Sequence, residues 1–196
     1  MIWFSALLLM VQPAPAAPGQ ERSIDLSPPQ GTSSLSPQAR LAERLAALKA
    51  STNEDEANAL AAEVISLWEQ QGGDTAQYML DRGRMAAQAG EWTLAERQYH
   101  YVRQLEPELS EGWIRTAETA AARADWTFAM EALERALVLE PNRFDAYVML
   151  GNVLERAESP EGALEAYKEA LKIFPLHPRA RNGVERLESA AAGRAL

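Results

Sequence analysis

Apolar residues recur along most of this chain at three- and four-residue steps, the spacing of one face of a helix. Leu41, Leu45 and Leu48 form a first stripe, and Leu60, Val64, Leu67 and Trp68 a second. Ser36-Pro37 predicts the start of the first helix, because Ser caps well and Pro suits the first helical position. Asn53 with Glu56 forms a capping-box-like start for the next, and Gly72-Gly73 ends it. Asp74 with Gln77 restarts the helical pattern. Further on, Tyr147, Leu150 and Leu154 mark one helix face, and Ala163, Tyr167, Ala170 and Leu171 the following one. A last helix is predicted from Pro178 to about Ala190, with Val184 and Leu187 inward and Arg179, Arg181 and Arg186 outward. The terminal AAGRAL is expected to fray.

The pattern also repeats at longer range. GEWTLAERQY (Gly90 to Tyr99) and ADWTFAMEAL (Ala124 to Leu133) share an acid-Trp-Thr-x-Ala core, and Trp92 and Trp126 lie 34 residues apart. An offset of 34 aligns three units, Ala76 to Leu109, Ser110 to Arg143 and Phe144 to His177. Gly83, Ala117 and Gly151 fall in register, as do Ala95, Ala129 and Ala163. So do Met79, Trp113 and Tyr147, then Tyr99, Leu133 and Tyr167, then Val102, Ala136 and Ala170, then Pro107, Pro141 and Pro175. Each unit holds two helical segments with a short connection, which predicts an antiparallel hairpin. Small residues allow the two helices to approach, pairing Gly83 with Ala95, Ala117 with Ala129 and Gly151 with Ala163. The prolines end each second helix. Glu91-Trp92, Asp125-Trp126 and Ser159-Pro160 mark the start of each second helix, where an acid is favoured by the helix dipole and the Trp seals the bend. One hairpin cannot bury both its faces, so the units are expected to stack.

AYVMLGNVLERAESPEGALEAYKEALKIFP and its two registered copies resemble the tetratricopeptide repeat over Ala76 to His177. The resemblance implies an all-α fold, an α-solenoid of stacked antiparallel hairpins with a capping helix at the C-terminal end. Arg82 and Thr116 depart from it where Leu150 stands in the third unit, and Ala120 departs where Leu154 stands. The flanks complete the layout. Residues 37–75 are expected to form a degenerate hairpin covering the open face of the first repeat, and residues 178–196 a cap with a frayed tail.

Composition narrows the picture. Of 196 residues 47% are hydrophobic, enough for a sizeable core. A net charge of -9 repels phosphate backbones, so nucleic acid is not an expected partner. The absence of Cys removes disulfides, thiolate metal sites and a Cys nucleophile, and fits export. The opening MIWFSALLLMVQPAPAAP carries an apolar run from Ile2 to Val11, too short to span a bilayer but of the length of a secretory leader. Ala14-Pro15-Ala16 supplies a cleavage site after Ala16. No Lys or Arg precedes the run, so either basic residues lie upstream or the free amine serves in their place. A Pro/Ser-rich linker then runs over residues 17–36.

The sequence holds no catalytic constellation. His100 and His177 have no companion for a metal, and no phosphate loop, H-E-x-x-H or G-x-S-x-G occurs. The expectation is a non-enzyme without metal or cofactor. The family resemblance implies that the first helix of each hairpin lines a concave side that holds an extended peptide or a partner helix. On the spacing, that lining is Gln77, Leu80, Arg84 and Gln88; then Glu111, Ile114, Glu118 and Ala121; then Asp145, Val148, Asn152 and Glu155. Leu80, Ile114 and Val148 form an apolar row, either open to a ligand or packed between neighbouring repeats. Arg84, Glu118 and Asn152 form a polar row beside it. Glu111, Glu118 and Asp145 would repel a terminal carboxylate, so no carboxylate clamp is expected, and an extended segment with apolar anchors and some positive charge fits better. The chain is similar in layout to small envelope repeat proteins of Gram-negative bacteria, which implies a scaffold for a protein or peptide in the periplasm or outside the cell. The alternative is a structural module that associates with itself, through its N-terminal hairpin or an uncapped face, without a separate ligand.

Overall fold

The computed structural model describes residues 35–194, and among them every regular element is an α-helix. The expected leader, nearly all of the expected linker and the last two residues lie outside the described residues. Helices α1 (Pro37–Ala50) and α2 (Glu54–Glu69) form the N-terminal hairpin. Three hairpins follow: α3 (Asp74–Gln88) with α4 (Trp92–Leu105), α5 (Ser110–Ala122) with α6 (Trp126–Leu139), and α7 (Phe144–Arg156) with α8 (Pro160–Ile173). Helix α9 (Pro178–Arg194) closes the array against α8. Among the described residues no helix is long and apolar enough to cross a membrane.

Local chemistry sets the helix ends. Ser36 Oγ accepts the Ala39 N–H at 3.2 Å, Asn53 Oδ1 the Glu56 N–H at 2.9 Å, and Asp125 Oδ1 the Phe128 N–H at 3.2 Å. Glu91 does not cap α4 in this way. Pro160 occupies the first turn of α8.

The close contact inside each hairpin differs from the expected pairing of two small residues. A β-carbon on Gly83 would lie 2.2 Å from Tyr99 Cε1, and one on Gly151 would lie 2.5 Å from Tyr167 Cε1. The glycines therefore make room for an aromatic ring rather than for Ala95 or Ala163. In the second hairpin both members change together: Ala117 replaces the glycine and Leu133 the tyrosine, both in one buried cluster. A larger residue on one helix is matched by a smaller one on the other, which keeps packing density constant.

Successive hairpins meet through a second set of small residues. A β-carbon on Gly112 would lie 2.9 Å from Val102 Cγ1 of the preceding helix. Ala146 and Ala180, one and two repeats further on, are fully buried against the helices before them. The equivalent residue in the first unit is Tyr78, and its bulk denies that approach.

The N-terminal hairpin accordingly does not cover the first repeat as expected. It lies across the other end of the array. Leu41, Leu48, Leu60, Val64 and Trp68 share one core cluster with Phe144 and Phe174. The Trp68 and Phe144 rings are 5.6 Å apart, and Phe144 meets Phe174 edge-on at 5.4 Å. Glu54 at the head of α2 pairs with Arg181 of α9 at 3.0 Å. The turn into α3 is fixed by Gly72, with φ +93, and by the Gly73 N–H donating to Glu106 at 2.9 Å. Tyr78 and Met85 of α3 are left 61% and 69% exposed.

Candidate functional site

The inner face of the array is built by α3, α5, α7 and α9, the first helices of the units and the cap. The predicted apolar row is buried: Leu80, Ile114 and Val148 are 2%, 2% and 4% exposed. They pack in three separate clusters between helices, which decides for the packing alternative. The row that reaches the inner surface is one residue later, Asp81, Arg115 and Met149. A helix turns about 100° per residue, so this shift carries a row from the core to the groove.

Half of that face is occupied by the chain itself. Glu69, at the end of α2, pairs with Arg115 at 2.7 Å and with Arg84 at 3.9 Å. Arg115 also holds Glu111 at 2.7 Å and Glu118 at 2.9 Å. Burial works against the Arg115 charge, but Glu111, Glu118 and Glu69 together outweigh it and hold the guanidinium above its ordinary value. Glu111 is shared in turn with Arg143 at 3.0 Å, and Arg143 reaches Asp145 at 2.8 Å. Arg143 is 1% exposed, with its guanidinium 4.7 Å from the centre of the Trp68 ring. Gln77 donates its side-chain amide to the Glu69 carbonyl at 2.8 Å and to that of Gln71. Gln77, Arg84, Glu111, Glu118 and Asp145 are thus tied into one network with α2. Gln88 is exposed and stands apart from them. The acids expected to repel a carboxylate are largely neutralised by Arg115 and Arg143, which undercuts the expectation of a positively charged ligand.

The other half is open. Asp145, Val148 and Asn152 border a recess of about 530 Å³ with Met149, His177, Pro178 and Arg179. Asn152 and Glu155 border a neighbouring recess of about 700 Å³ with Ala121, Trp126, Met149 and Arg179. The Tyr167 hydroxyl, with one proton to give, lies 2.7 Å from Glu155 Oε1 and 2.8 Å from Asn152 Oδ1, and Arg186 holds Glu155 at 2.7 Å. Glu155 is held below the usual carboxylate range chiefly by that Arg186 bond. Arg156 and Arg179 have no ion-pair partner among the described residues. Met149, Trp126 and these two arginines were missed as lining residues. Only the one-residue shift of the inner row could have revealed Met149.

The described residues hold no group of three or more His, Asp or Glu that could bind a metal. His177 is half-buried between Phe144 and Phe174, where its Nδ1 accepts the Ala180 N–H at 3.3 Å and caps α9.

Residues 114–178 match the family model for the tetratricopeptide repeat. The chain carries tetratricopeptide repeats. Its array is similar to the first TPR of Spaghetti (RPAP3), solved bound to the HSP90 peptide SRMEEVD, at 18% identity and a TM-score of 0.59, over 62% of this chain and 96% of that one. It is similar to MamA at 21% identity and a TM-score of 0.57, over 71% of this chain and 79% of that one. It is also similar to the type III secretion translocator chaperone SycD of Yersinia enterocolitica, at 13% identity and a TM-score of 0.58, over 61% and 96% of the two chains. No curated protein sequence matches the chain. At these identities the likeness is one of fold, and the repeat array is that shared fold.

Proposed function

We propose that this protein is a non-enzymatic scaffold that holds a segment of a protein partner in the open recess between α5, α7 and α9. The observation that carries the reading is the recess itself. Met149 and Trp126 offer an apolar floor, while Arg156 and Arg179 stand at its edge with no salt bridge among the described residues. Such a surface suits a segment with an apolar anchor and acidic neighbours, since unspent guanidinium groups gain from a carboxylate what the neutralised acids do not lose. The HSP90 peptide held by the Spaghetti repeat supports a peptide-binding role for arrays of this fold. The half of the inner face covered by α2 takes no part.

The setting we propose is the bacterial periplasm. The apolar run Ile2 to Val11, the Ala14-Pro15-Ala16 site and the absence of Cys support it. Sequencing the N-terminus of the protein recovered from fractionated cells tests this, with Ala17 expected as the first residue.

Crosslinked capture with tagged protein, read by mass spectrometry, tests the scaffold. Met149→Glu and Arg179→Glu should each remove one dominant partner while the helical content is kept. If both variants capture the same partner as the parent, the recess is not the binding face.

A further inference from the structure

Helix α2 lies on the inner face as a ligand would, while its core is largely separate from that of the array. Among the described residues, α3 to α9 hold three buried clusters to which α1 and α2 contribute nothing. The hairpin has its own, built around Leu41, Leu48, Leu60, Val64 and Trp68, and the array adds only Phe144 and Phe174 to its buried members. The charges divide the same way. Arg115 has Glu111 and Glu118, and Arg143 has Glu111 and Asp145, all within the array, and α2 adds only Glu69. Two units with separate cores, joined by a small and partly polar contact, move relative to one another by default.

Two features of the docked hairpin work against it. The Trp68 indole N–H is buried without an acceptor, so docking forfeits the hydrogen bond it makes in water. Glu69 stands in the last turn of α2, where the helix dipole disfavours an acid, and its place there serves Arg115 and Arg84 of the array. The join to α3 is the short segment Gln70 to Gly73, and Gly72 within it, at φ +93, is a natural pivot.

We propose that the N-terminal hairpin is a built-in competitor for the groove floor formed by Phe144, Phe174, Arg115 and Arg143, and that a partner helix carrying a Trp followed by an acid takes its place. The hairpin itself displays what the floor accepts. The Trp68 ring packs on Phe144 at 5.6 Å with the Arg143 guanidinium 4.7 Å from its centre, and Glu69 meets Arg115 at 2.7 Å. Once α2 lifts, two Phe rings and two guanidinium groups lose their cover, so the replacement must bring an apolar anchor and a carboxylate in the same order. A partner that also offers its own indole an acceptor gains where α2 loses. The hairpin thereby sets a threshold, because apparent affinity is reduced by the fraction of molecules that are open. The Met149–Arg179 recess is not covered by α2, so this competition stands whether or not the recess binds a segment.

Fluorescence anisotropy with a labelled peptide of residues 35–73, the hairpin supplied in trans to the full chain, tests the proposal. In the parent the resident hairpin competes, and binding should be weak. Glu69→Arg in the full chain sets a guanidinium against Arg115 and Arg84, frees the hairpin and leaves the floor intact. The unaltered peptide should then bind at least about tenfold more tightly. The same change placed in the peptide instead should abolish binding. A staple gives the converse. Glu54 and Arg181 pair at 3.0 Å with side chains 64% and 51% exposed. Glu54→Cys with Arg181→Cys, in a chain that has no Cys of its own, allows a bismaleimide crosslink that holds α2 on α9. Crosslinking should remove peptide binding, while the uncrosslinked variant binds at least as well as the parent. If Glu69→Arg does not fold, the staple comparison decides alone. A folded Glu69→Arg chain with no gain, a crosslinked chain that still binds, or failure of every form to bind the peptide overturns the proposal.

Discussion

Tyr167 is clamped between two glycines: a β-carbon on Gly151 would lie 2.5 Å from its ring, and one on Gly183 would lie 2.6 Å from the opposite edge. The ring joins α7, α8 and α9, and its hydroxyl is already fixed by Asn152 and Glu155. It therefore has no direction in which to yield. Gly151→Ala gains about 1 kcal/mol in helix propensity but overpacks a rigid ring, at a cost of about 1–3 kcal/mol. Net destabilisation in urea unfolding is the expected result. The second hairpin suggests the remedy, since it pairs Ala117 with Leu133. Adding Tyr167→Leu to Gly151→Ala should recover part of the loss, measured as a positive coupling in a double-mutant cycle.

Arg143 tests the buried network. It is 1% exposed, and Glu111 beside it is 2% exposed. Arg143→Ala leaves Glu111 with Arg115 alone and strips the Trp68 ring of its cation, so a loss of about 3–5 kcal/mol is expected. The same variant should loosen the N-terminal hairpin first. Hydrogen exchange should rise across α1 and α2 before it rises in α5 to α8. Uniform exchange across all the helices would show that the hairpin is not held through this network.

Why the repeats were legible in the sequence and the placement of that hairpin was not has a physical basis. Gly83, Gly151 and the aligned alanines answer to contacts within a hairpin, so their spacing is printed directly in the chain. The stripe Leu41, Leu45 and Leu48 states that α1 buries a face, but not against what. Its partners Phe144 and Phe174 lie in the last repeat and follow no period shared with the stripe. The inner row was legible only in part for a different reason. Leu80, Ile114 and Val148 were placed by helical spacing, which left groove and core both open for them, and a shift of one residue, about 100° of helix, separates the two. The Glu69, Arg115, Glu111 and Arg143 chain links elements without any fixed spacing, and single charges on helix faces do not reveal their partners. Tyr78 was the informative residue: a large ring in register with Gly112, Ala146 and Ala180 already signals that no helix stacks there.

His177 gives the array a pH dependence with a defined sign. Burial, with Arg179 close by, pushes the imidazole below its ordinary value, and Asp145 opposes this only in part. The neutral ring accepts the Ala180 N–H, and protonation removes the lone pair that does so. The unfolded chain takes up this proton near pH 6.5 and the folded chain only at lower pH, so the unfolded state binds more protons in between. Stability is unaffected above about pH 6.5 and falls as the pH drops toward the folded value. Burial also raises Glu118, so the difference between the parent and His177→Gln, rather than the parent's slope alone, isolates the imidazole. Urea midpoints for the parent should fall between about pH 7 and about pH 5, and His177→Gln should flatten that fall. An unchanged slope would remove His177 as its source.

One repeat position should respond in opposite ways along the chain. Tyr78 and Ala146 are equivalent by the 34-residue offset, yet one is 61% exposed and the other fully buried. Ala146 lies against α6 in a cluster with Ala132, Leu133 and Ala136, where no volume is spare. Ala146→Leu must push α7 from α6, with an expected cost of about 1–3 kcal/mol. Tyr78→Ala removes far more atoms but opens no cavity, and in the monomer it should change stability by no more than about 0.5 kcal/mol. Both are measured by urea unfolding. A large loss from Tyr78→Ala under those conditions would mean that the ring packs within its own chain.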